Sequence, residues 1–423
     1  MANITHKLKL LVTDKSLRKR IIFVLGAFIA IRLLSAIPIP GVDANQLASF
    51  LANNQFFGLL NVFSGGGLST LSIVMLGVGP YITASIIMQL LTIMVPALKE
   101  MNQEGGEAGR KRFAQYTRML AIPLALVQGF SLLAVLSNQG VIVDATLFTK
   151  MVNLIIVTAG SMLMVWIGEL ITEFGIGNGI SLIIFAGIVA GLPAEVSQMI
   201  FTYNPADLPT YILFATIGLL VIAGVVMVTE AERPIGVTYA RQVRGMSSSS
   251  GVTTYIPLRL NMAGVIPIIF ALSILLLPQL FSNIFLNSSH AWLASIASTL
   301  AKFTQTSLLY GILYFVLVFG FTYLYTSITF DPKQMSDNLQ KNGAFVPGIR
   351  PGESTNTYIS NIVSRITLVG GLFLGVIAVL PLIVRNLSGV TSIALGGTAL
   401  LIVVSVVIDL IKKIDAQTSM REY

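Results

Sequence analysis

Cysteine is absent from the sequence, which excludes disulfide frameworks, thiolate metal sites and cysteine nucleophiles together. Histidine is scarce as well, and His6 and His290 lie too far apart in the chain for a convincing metal cluster. No small-residue cleavage site follows the charged start, which leads directly into an apolar run, so no cleavable signal peptide is predicted. We therefore expect neither a metal nor another cofactor.

Charge is also scarce. Only 10% of the 423 residues are Asp, Glu, Lys or Arg, whereas 55% are apolar and the mean hydropathy is +0.84. A soluble domain of this length carries roughly a quarter charged residues to cover its surface. The chain has too little charge to face water on all sides, so lipid is expected to be its main solvent.

Long apolar runs recur along the chain. A bilayer core of about 30 Å needs roughly 20 apolar residues per helix. The third of the runs that fit is interrupted by Pro123, Gln128 and Gly129. The predicted fold is an all-α polytopic membrane protein with ten transmembrane helices. These are expected at 21–37, 68–95, 120–136, 151–171, 180–200, 210–228, 263–285, 308–328, 366–384 and 390–411.

Basic residues are unevenly divided between the two sides that these spans define. Segments on the N-terminal side contain 22 Lys and Arg residues, whereas those on the opposite side contain only Lys150, Lys302 and Arg385. Cytoplasmic loops of membrane proteins carry the excess of Lys and Arg. Both termini are therefore predicted to be cytoplasmic.

The ten spans divide into two halves of five, at 1–205 and 206–423. Because each half contains an odd number of spans, the second half enters the membrane from the opposite side, so any structural repeat must be inverted. The halves share no convincing sequence similarity, and the pseudo-symmetric inverted repeat is inferred from parity alone. Spans two and seven would then be equivalent helices.

The segment at 54–71 is the most irregular part of the outer side. It is apolar enough to avoid water and too short to span, and Gly65, Gly66 and Gly67 separate it from the next helix. Irregular backbone survives at membrane depth only where protein or a water-filled cavity covers it. The segment is therefore either a re-entrant packing loop or a mobile stopper in a cavity.

Two long cytoplasmic connections, at 229–262 and 329–365, are basic on balance and contain turn-forming stretches. Basic loops are expected from the orientation rule alone, but orientation needs only short loops. Two protruding basic hairpins would suit docking to a negatively charged partner, such as ribosomal RNA phosphates or an acidic protein surface.

Catalytic and ion-coupling patterns are missing. No span carries a central carboxylate, the residue type that marks ion pathways, because Glu169, Glu173 and Asp409 lie near cytoplasmic ends. Phosphate-binding, zinc-protease and serine-hydrolase motifs do not occur in the sequence either. The chain is therefore predicted not to be an enzyme, which leaves a passive conduit driven by partners.

Six motifs occur in order along nearly the whole chain. They read PIPG at 38–41, FSGGG at 63–67, PYITASIIMQLL at 80–91, GIGNGIS at 175–181, NMAGVIP at 261–267 and GAFVPGIRPG at 343–352. Together they resemble the SecY/Sec61-alpha family of protein-translocation channels, and their wording favours the bacterial form. The stretch at 343–352 is the most specific of the six.

The resemblance implies an hourglass channel of two pseudo-symmetric halves around a central pore, hinged between spans five and six. Unfolded secretory polypeptides would cross through the middle, and transmembrane segments would leave sideways between spans two and seven. A cytoplasmic motor or the ribosome would drive transport in a bacterial cell (plasma or inner) membrane. The implied partners are SecE-like and SecG-like small membrane subunits, the SecA motor ATPase, the ribosome, signal sequences with secretory polypeptides, and membrane lipids.

The resemblance also implies roles for particular residues. An apolar pore ring would consist of Val78, Ile82, Ile184, Ile269 and Ile402, with Val78 and Ile82 on one face of a helix. The plug, at about 57–68, would include Phe57, Leu59, Leu60, Val62, Phe63, Gly65, Gly66 and Gly67. The lateral gate would include Ser85, Gln89, Asn261 and Val265, with Asn261 two helical turns before Ile269. Docking of the motor or ribosome would use Arg241, Arg244 and Arg350.

Two other functions fit the same composition. A ten-helix secondary transporter would need ligands at the membrane midplane and broken helices that face an ion or substrate. A scaffold that only binds ribosomes would need no pore. The missing central carboxylates and the long basic loops count against the transporter.

Overall fold

The structure is a computed structural model of the chain. It describes residues 14–42, 46–47, 61, 64–103, 105–138, 140–142, 146–201, 208–239, 253–285, 292, 295, 298–299, 307–388 and 394–419. Most of these residues are helical. The first helices are α1 (Lys15–Ser35), α2 (Gly79–Met94), α3 (Pro96–Gln103), α4 (Gly106–Asn138), α5 (Leu147–Phe174), α6 (Gly179–Phe201) and α7 (Leu208–Glu230).

In the second part of the chain, the described residues contain three short strands among the helices. In chain order its elements are β1 (Glu232–Tyr239), β2 (Thr253–Arg259), α8 (Ile266–Phe285), α9 (Ser307–Thr329), α10 (Pro332–Lys341), β3 (Ala344–Phe345), α11 (Glu353–Ser388) and α12 (Ala394–Ser419).

A described helix overlaps each of the ten predicted spans. By length and hydropathy, four stretches of the described chain can cross a membrane, or five if the bent pair α2 and α3 is one broken span. The helices of this pair are bent by 112° relative to each other. Membrane-spanning helices are thus present, and the count of ten remains a prediction. The four stretches are Gly106–Ser137, Leu147–Phe174, Leu308–Lys341 and Glu353–Leu380.

The second predicted span begins later than expected. Helix was predicted from residue 68, but α2 starts at Gly79, and residues 64–78 are largely turns. Gly77 has a φ of 54°, which a helix does not allow, and Pro80 in the first turn favours a helix start at that point. The N-terminal third of this span is therefore irregular backbone that joins the glycine-rich segment before it.

The residues that interrupt the apolar run of span three do not break its helix. Helix α4 continues through Pro123 over 33 residues. Transmembrane helices tolerate proline because neighbouring groups satisfy the backbone groups that it frees. Gln128 is accommodated too, because its Nε2 donates a hydrogen bond to Thr83 Oγ1 on α2 at 3.3 Å.

The helices pack as two groups that meet along a limited boundary. In the first group α5 contacts α1, α4 and α6, and α2 packs on α4. In the second group α9 packs on α8 and α11, and α12 packs on α7 and α11. Between the groups, α8 contacts α2 and α4, and α12 contacts α6. The main cluster of buried apolar residues draws on helices of both groups and lies at this boundary.

The two long connections form one packed unit rather than two separate hairpins, which corrects that prediction. Strands β1 and β2 form an antiparallel hairpin, and β3 from the second connection pairs with β1. The second connection also contains α10, whose first turn is capped by the Asp331 carboxylate, and the first turns of α11. Buried side chains such as Val237, Leu258 and Ile359 join the sheet to α11. Pairing between distant segments satisfies backbone groups that isolated loops would leave to water.

Candidate functional site

The five predicted ring residues lie in one continuous cluster of buried apolar side chains. Val78 stands at the N-cap of α2, and the Ile82 amide donates to its carbonyl at 3.0 Å, so the two side chains are one turn apart. Ile184 comes from α6, Ile269 from the first turn of α8 and Ile402 from α12. None is more than 6% exposed. Four separate helices from both groups therefore contribute branched aliphatic side chains to one buried cluster.

Part of the predicted plug forms a tight turn, Ser64–Gly67, here named the glycine turn. The Gly66 amide donates to the Asn61 carbonyl at 2.9 Å, and Ser64 Oγ donates to the same oxygen at 2.9 Å. The Leu68 amide in turn donates to Ser64 Oγ at 3.0 Å. The other predicted plug residues lie outside the described residues, namely Phe57, Leu59, Leu60, Val62 and Phe63.

Helix α5 holds the irregular backbone between the glycine turn and α2. Ser161 Oγ donates to the Gly77 carbonyl at 2.8 Å, one residue before Val78. A methyl group at Gly160 would overlap the carbonyl oxygen of Ile73, so only glycine allows this approach. The sequence analysis missed both α5 residues. The signal available was a glycine–serine pair inside an apolar span, which is typical of close helix interfaces in membranes.

Two of the predicted gate residues lie on α2 and two lie just before α8, and these two helices are in contact. On α2, Gln89 Nε2 donates to Ser85 Oγ at 3.3 Å, while Gln89 Oε1 is buried without a hydrogen-bond partner in the described chain. Asn261 Oδ1 is likewise buried and unpartnered within the described residues. Val265 is 7% exposed, and its carbonyl accepts the Ile269 amide at 3.2 Å.

The predicted helical position of Asn261 is wrong. Helix α8 begins at Ile266, and Asn261 lies in the preceding turn, where its Nδ2 donates to the Gly264 carbonyl at 3.3 Å. Gly264 has a φ of 63°, a left-handed conformation that a regular helix excludes. Asn261 therefore does not share a helix face with Ile269, although it stays close to the start of the same helix.

The predicted docking residue Arg350 is exposed on a tight turn of the packed unit that the two long connections form. Gly348 and Gly352 on either side have φ values of 83° and 98°, which only glycine adopts readily. Thr355 Oγ1 donates to the Arg350 carbonyl at 2.8 Å, and Ser336 Oγ donates to the Gly352 carbonyl at 2.7 Å. Arg241 and Arg244 lie outside the described residues.

The described residues contain no group of three or more His, Asp and Glu side chains that could hold a metal ion. The buried side chains gathered at the boundary between the helix groups are apolar, mostly aliphatic with aromatic rings such as Phe270 and Phe321. Such an arrangement can seal, part and bind apolar segments, but it supplies no nucleophile and no general base.

Comparison with known proteins identifies the family. A family model described as SecY matches residues 72–411. A protein translocase subunit SecY of Mycobacterium tuberculosis is 42% identical over 428 residues, covering 96% of each chain. One of Thermus thermophilus is 43% identical over 417 residues, covering 96% of this chain and 94% of the relative. These relatives are translocase subunits, in agreement with the prediction that the chain is not an enzyme.

Solved structures agree in fold. A structure described as that of a protein conducting channel has a TM-score of 0.67 at 17% identity, covering 96% of this chain and 94% of the other. A Sec61 chain from a canine ribosome-channel complex has a TM-score of 0.64 at 16% identity, with the same coverage. The family model and the translocase relatives agree with the sequence motifs, and the chain belongs to the SecY family.

Proposed function

We propose that the chain forms the pore of a protein-conducting channel that moves unfolded secretory polypeptides across a membrane and releases transmembrane segments sideways into lipid. The observation that carries this proposal is the buried apolar cluster at the boundary between the two helix groups. It contains all five of the predicted ring residues, Val78, Ile82, Ile184, Ile269 and Ile402.

The ring residues suit a seal that must also open. An apolar constriction loses its water and so blocks ions. Branched aliphatic side chains offer a passing polypeptide no fixed hydrogen bonds, so no particular sequence is retained. Because four helices supply the ring, separating them widens the constriction without breaking a helix.

The chain is proposed to cross the membrane ten times, as two inverted halves at 1–205 and 206–423. Both termini would be cytoplasmic in a bacterial cell membrane. The packing of the helices in two groups supports the halves, and the excess of Lys and Arg on one side supports the orientation. The glycine-rich segment, with Gly65, Gly66 and Gly67 at its end, would be the plug on the outer side of the ring.

The lateral gate is proposed at the contact between α2 and α8. At this contact α8 of the second group packs on both α2 and α4 of the first. The buried amide oxygens of Gln89 and Asn261 lack partners in the described structure. Each such buried group costs about 1–3 kcal/mol, which lowers the free energy needed to open the gate to water or to a polar segment.

The packed unit of the two long connections would face the cytoplasm and is proposed to dock the SecA motor or the ribosome, through Arg350 together with Arg241 and Arg244. A guanidinium on a rigid tip can form a two-pronged hydrogen bond with a carboxylate or phosphate. A Sec61 chain similar in fold comes from a ribosome-channel complex, which supports a ribosome partner here. SecE-like and SecG-like subunits would complete the channel in the lipid.

A vesicle assay tests the function. The chain, purified with the subunits that accompany it, is reconstituted and offered a secretory precursor with a cytoplasmic motor and ATP. We expect motor-dependent import of the precursor into a protease-protected space. Solute uptake driven by an ion gradient, with no import, would instead indicate the secondary transporter. Ribosome binding with neither activity would indicate the scaffold.

A further inference from the structure

Two glycines meet where the glycine turn touches α6. A methyl group placed on Gly187 of α6 would overlap Cα of Gly65 and lie 3.0 Å from its carbonyl carbon and 3.2 Å from its nitrogen. The atoms that it would meet belong to the backbone, so no side chain can rotate away to make room. The absence of a side chain at Gly187 is therefore a condition for this contact.

The glycine turn is also constrained from within. Gly65 and Gly66 have φ values of 68° and 86°, in the left-handed region that other residues avoid. On its other sides the turn is bounded by α1 and α5, because a methyl group on Gly65 would lie 3.7 Å from Met164 Cε and 3.9 Å from Ile31 Cγ2. The turn thus occupies a pocket formed by three helices, and α6 makes the closest wall.

This contact lies next to the ring. Gly187 follows the ring residue Ile184 by three positions on α6, which places the two on the same side of the helix. Ser64 and Leu68, at the two ends of the turn, have no exposed surface. A shift of the turn away from α6 would therefore open space directly beside the ring.

We propose that Gly187 is a positioning residue that lets the glycine turn rest on α6, and that this backbone contact holds the channel in its sealed state. The inference rests on the proposed channel function and deepens it by assigning part of its regulation. Any side chain at position 187 would push the turn away from the ring and favour the unsealed state.

The test compares two alanine variants of the same helix in reconstituted vesicles. Gly187→Ala carries the clash, whereas Gly191→Ala, one turn further on, places its methyl group where no atom lies within 4 Å. Alanine is the better helix former at both positions, so weakening of α6 cannot explain a difference. For Gly187→Ala we expect an ion leak about tenfold above that of the unmodified channel. A tenfold change corresponds to a shift of about 1.4 kcal/mol in the free-energy difference between the sealed and unsealed states.

A second measurement follows the turn itself. The chain has no cysteine, so Ser64→Cys introduces its only thiol, at a buried position. We expect a membrane-impermeant maleimide to label this thiol about tenfold faster when Gly187→Ala is also present, because the unsealed state would be about tenfold more populated. We expect no change when Gly191→Ala is present. Import of a precursor with a weakened signal sequence should rise with the leak.

Equal leak and equal labelling in the two alanine variants would overturn the inference. If Gly187→Ala does not accumulate, Gly65→Ala disturbs the same contact by distorting the turn, because the φ of 68° at Gly65 strains any side chain there. A sealed Gly65→Ala channel would also overturn the inference. Loss of all import by the unmodified channel would contradict the proposed function instead, so the two failures are distinguishable.

Discussion

Replacing Ile402 by asparagine tests whether the buried cluster is a seal. Ile402 is 1% exposed on α12 and lies in the same cluster as the four other ring residues. Asparagine has nearly the same length but brings an amide with two donors and one acceptor oxygen. In a dry apolar ring none of these groups finds a partner, so the substitution acts on the closed state in particular.

The size of the effect follows from the burial of Ile402. Loss of the buried isoleucine side chain removes about 1.5–3 kcal/mol of apolar stabilisation. An unsatisfied buried amide costs about a further 1–3 kcal/mol. Water entering the ring relieves the second cost, so the hydrated state gains roughly 5–150-fold in population relative to the dry one. The water that satisfies the amide also carries ions.

The assay is ion conductance across vesicles that contain the resting channel, together with import of a precursor whose signal sequence is weakened. We expect Ile402→Asn to raise the conductance and to relax the demand for a strong signal sequence. Ile402→Val loses one methylene and no apolar character, so it should remain sealed. Leu132→Asn on α4 is the matched control, because Leu132 is 2% exposed but lies in a different apolar cluster.

Two results would refute the reasoning. Unchanged leak and unchanged signal stringency in Ile402→Asn would remove Ile402 from the ring. Equal leak in Ile402→Asn and Leu132→Asn would attribute the effect to general destabilisation of the helices rather than to a seal.

Three further predictions concern docking and the gate. Arg350→Glu should abolish motor-driven import while the chain still inserts, Arg350→Lys should retain part of it, and Arg244→Glu should do less harm; import by Arg350→Glu at the normal rate would exclude docking there. Thr355→Val removes the hydrogen bond to the Arg350 carbonyl, worth about 0.5–1.5 kcal/mol. Thr355→Val should lower the affinity for the motor in a binding titration by less than Arg350→Glu does. If Thr355→Val bound the motor as tightly as the unmodified channel, the rigidity of the turn that carries Arg350 would not matter for docking. A disulfide engineered across α2 and α8 should stop import until it is reduced, and normal import by the locked channel would rule out the gate.

The helices were largely predictable because each depends on local composition. An apolar run of the right length predicts a helix whatever surrounds it, and a described helix overlaps every predicted run. The start of α2 was not predictable in the same way. Residues 68–78 are apolar enough for a helix, but Gly77 and the contacts with α5 keep them irregular. Hydropathy alone does not predict contacts between segments that are distant in the sequence.

The candidate site was predicted through motifs rather than through physics. Composition alone would have assigned Ile184 or Ile402 to ordinary helix packing, because a ring and a core have the same apolar character. The position of Asn261 was predicted wrongly. Counting residues back from Ile269 placed Asn261 on α8, but Gly264 turns the chain before the helix begins at Ile266. Gly187 was not singled out, because its role depends on a backbone 122 positions away in the chain.

Hydrogen bonds tie the later part of the irregular segment to α1, whereas those described for the glycine turn reach no other helix. From Thr70 onward the segment is tied to the end of α1, through Thr70 Oγ1 to the Ser35 carbonyl at 2.6 Å and the Ile73 amide to the Ile37 carbonyl at 3.0 Å. The hydrogen bonds described for the glycine turn, by contrast, stay within residues 61–72. Its contact with α6 is van der Waals packing between two glycines, which separates without leaving a polar group unpaired. The turn can therefore leave α6 without breaking a described hydrogen bond to another helix, while the bond from the Ser72 amide to the Gly67 carbonyl at 2.8 Å still links it to the anchored residues that precede Val78.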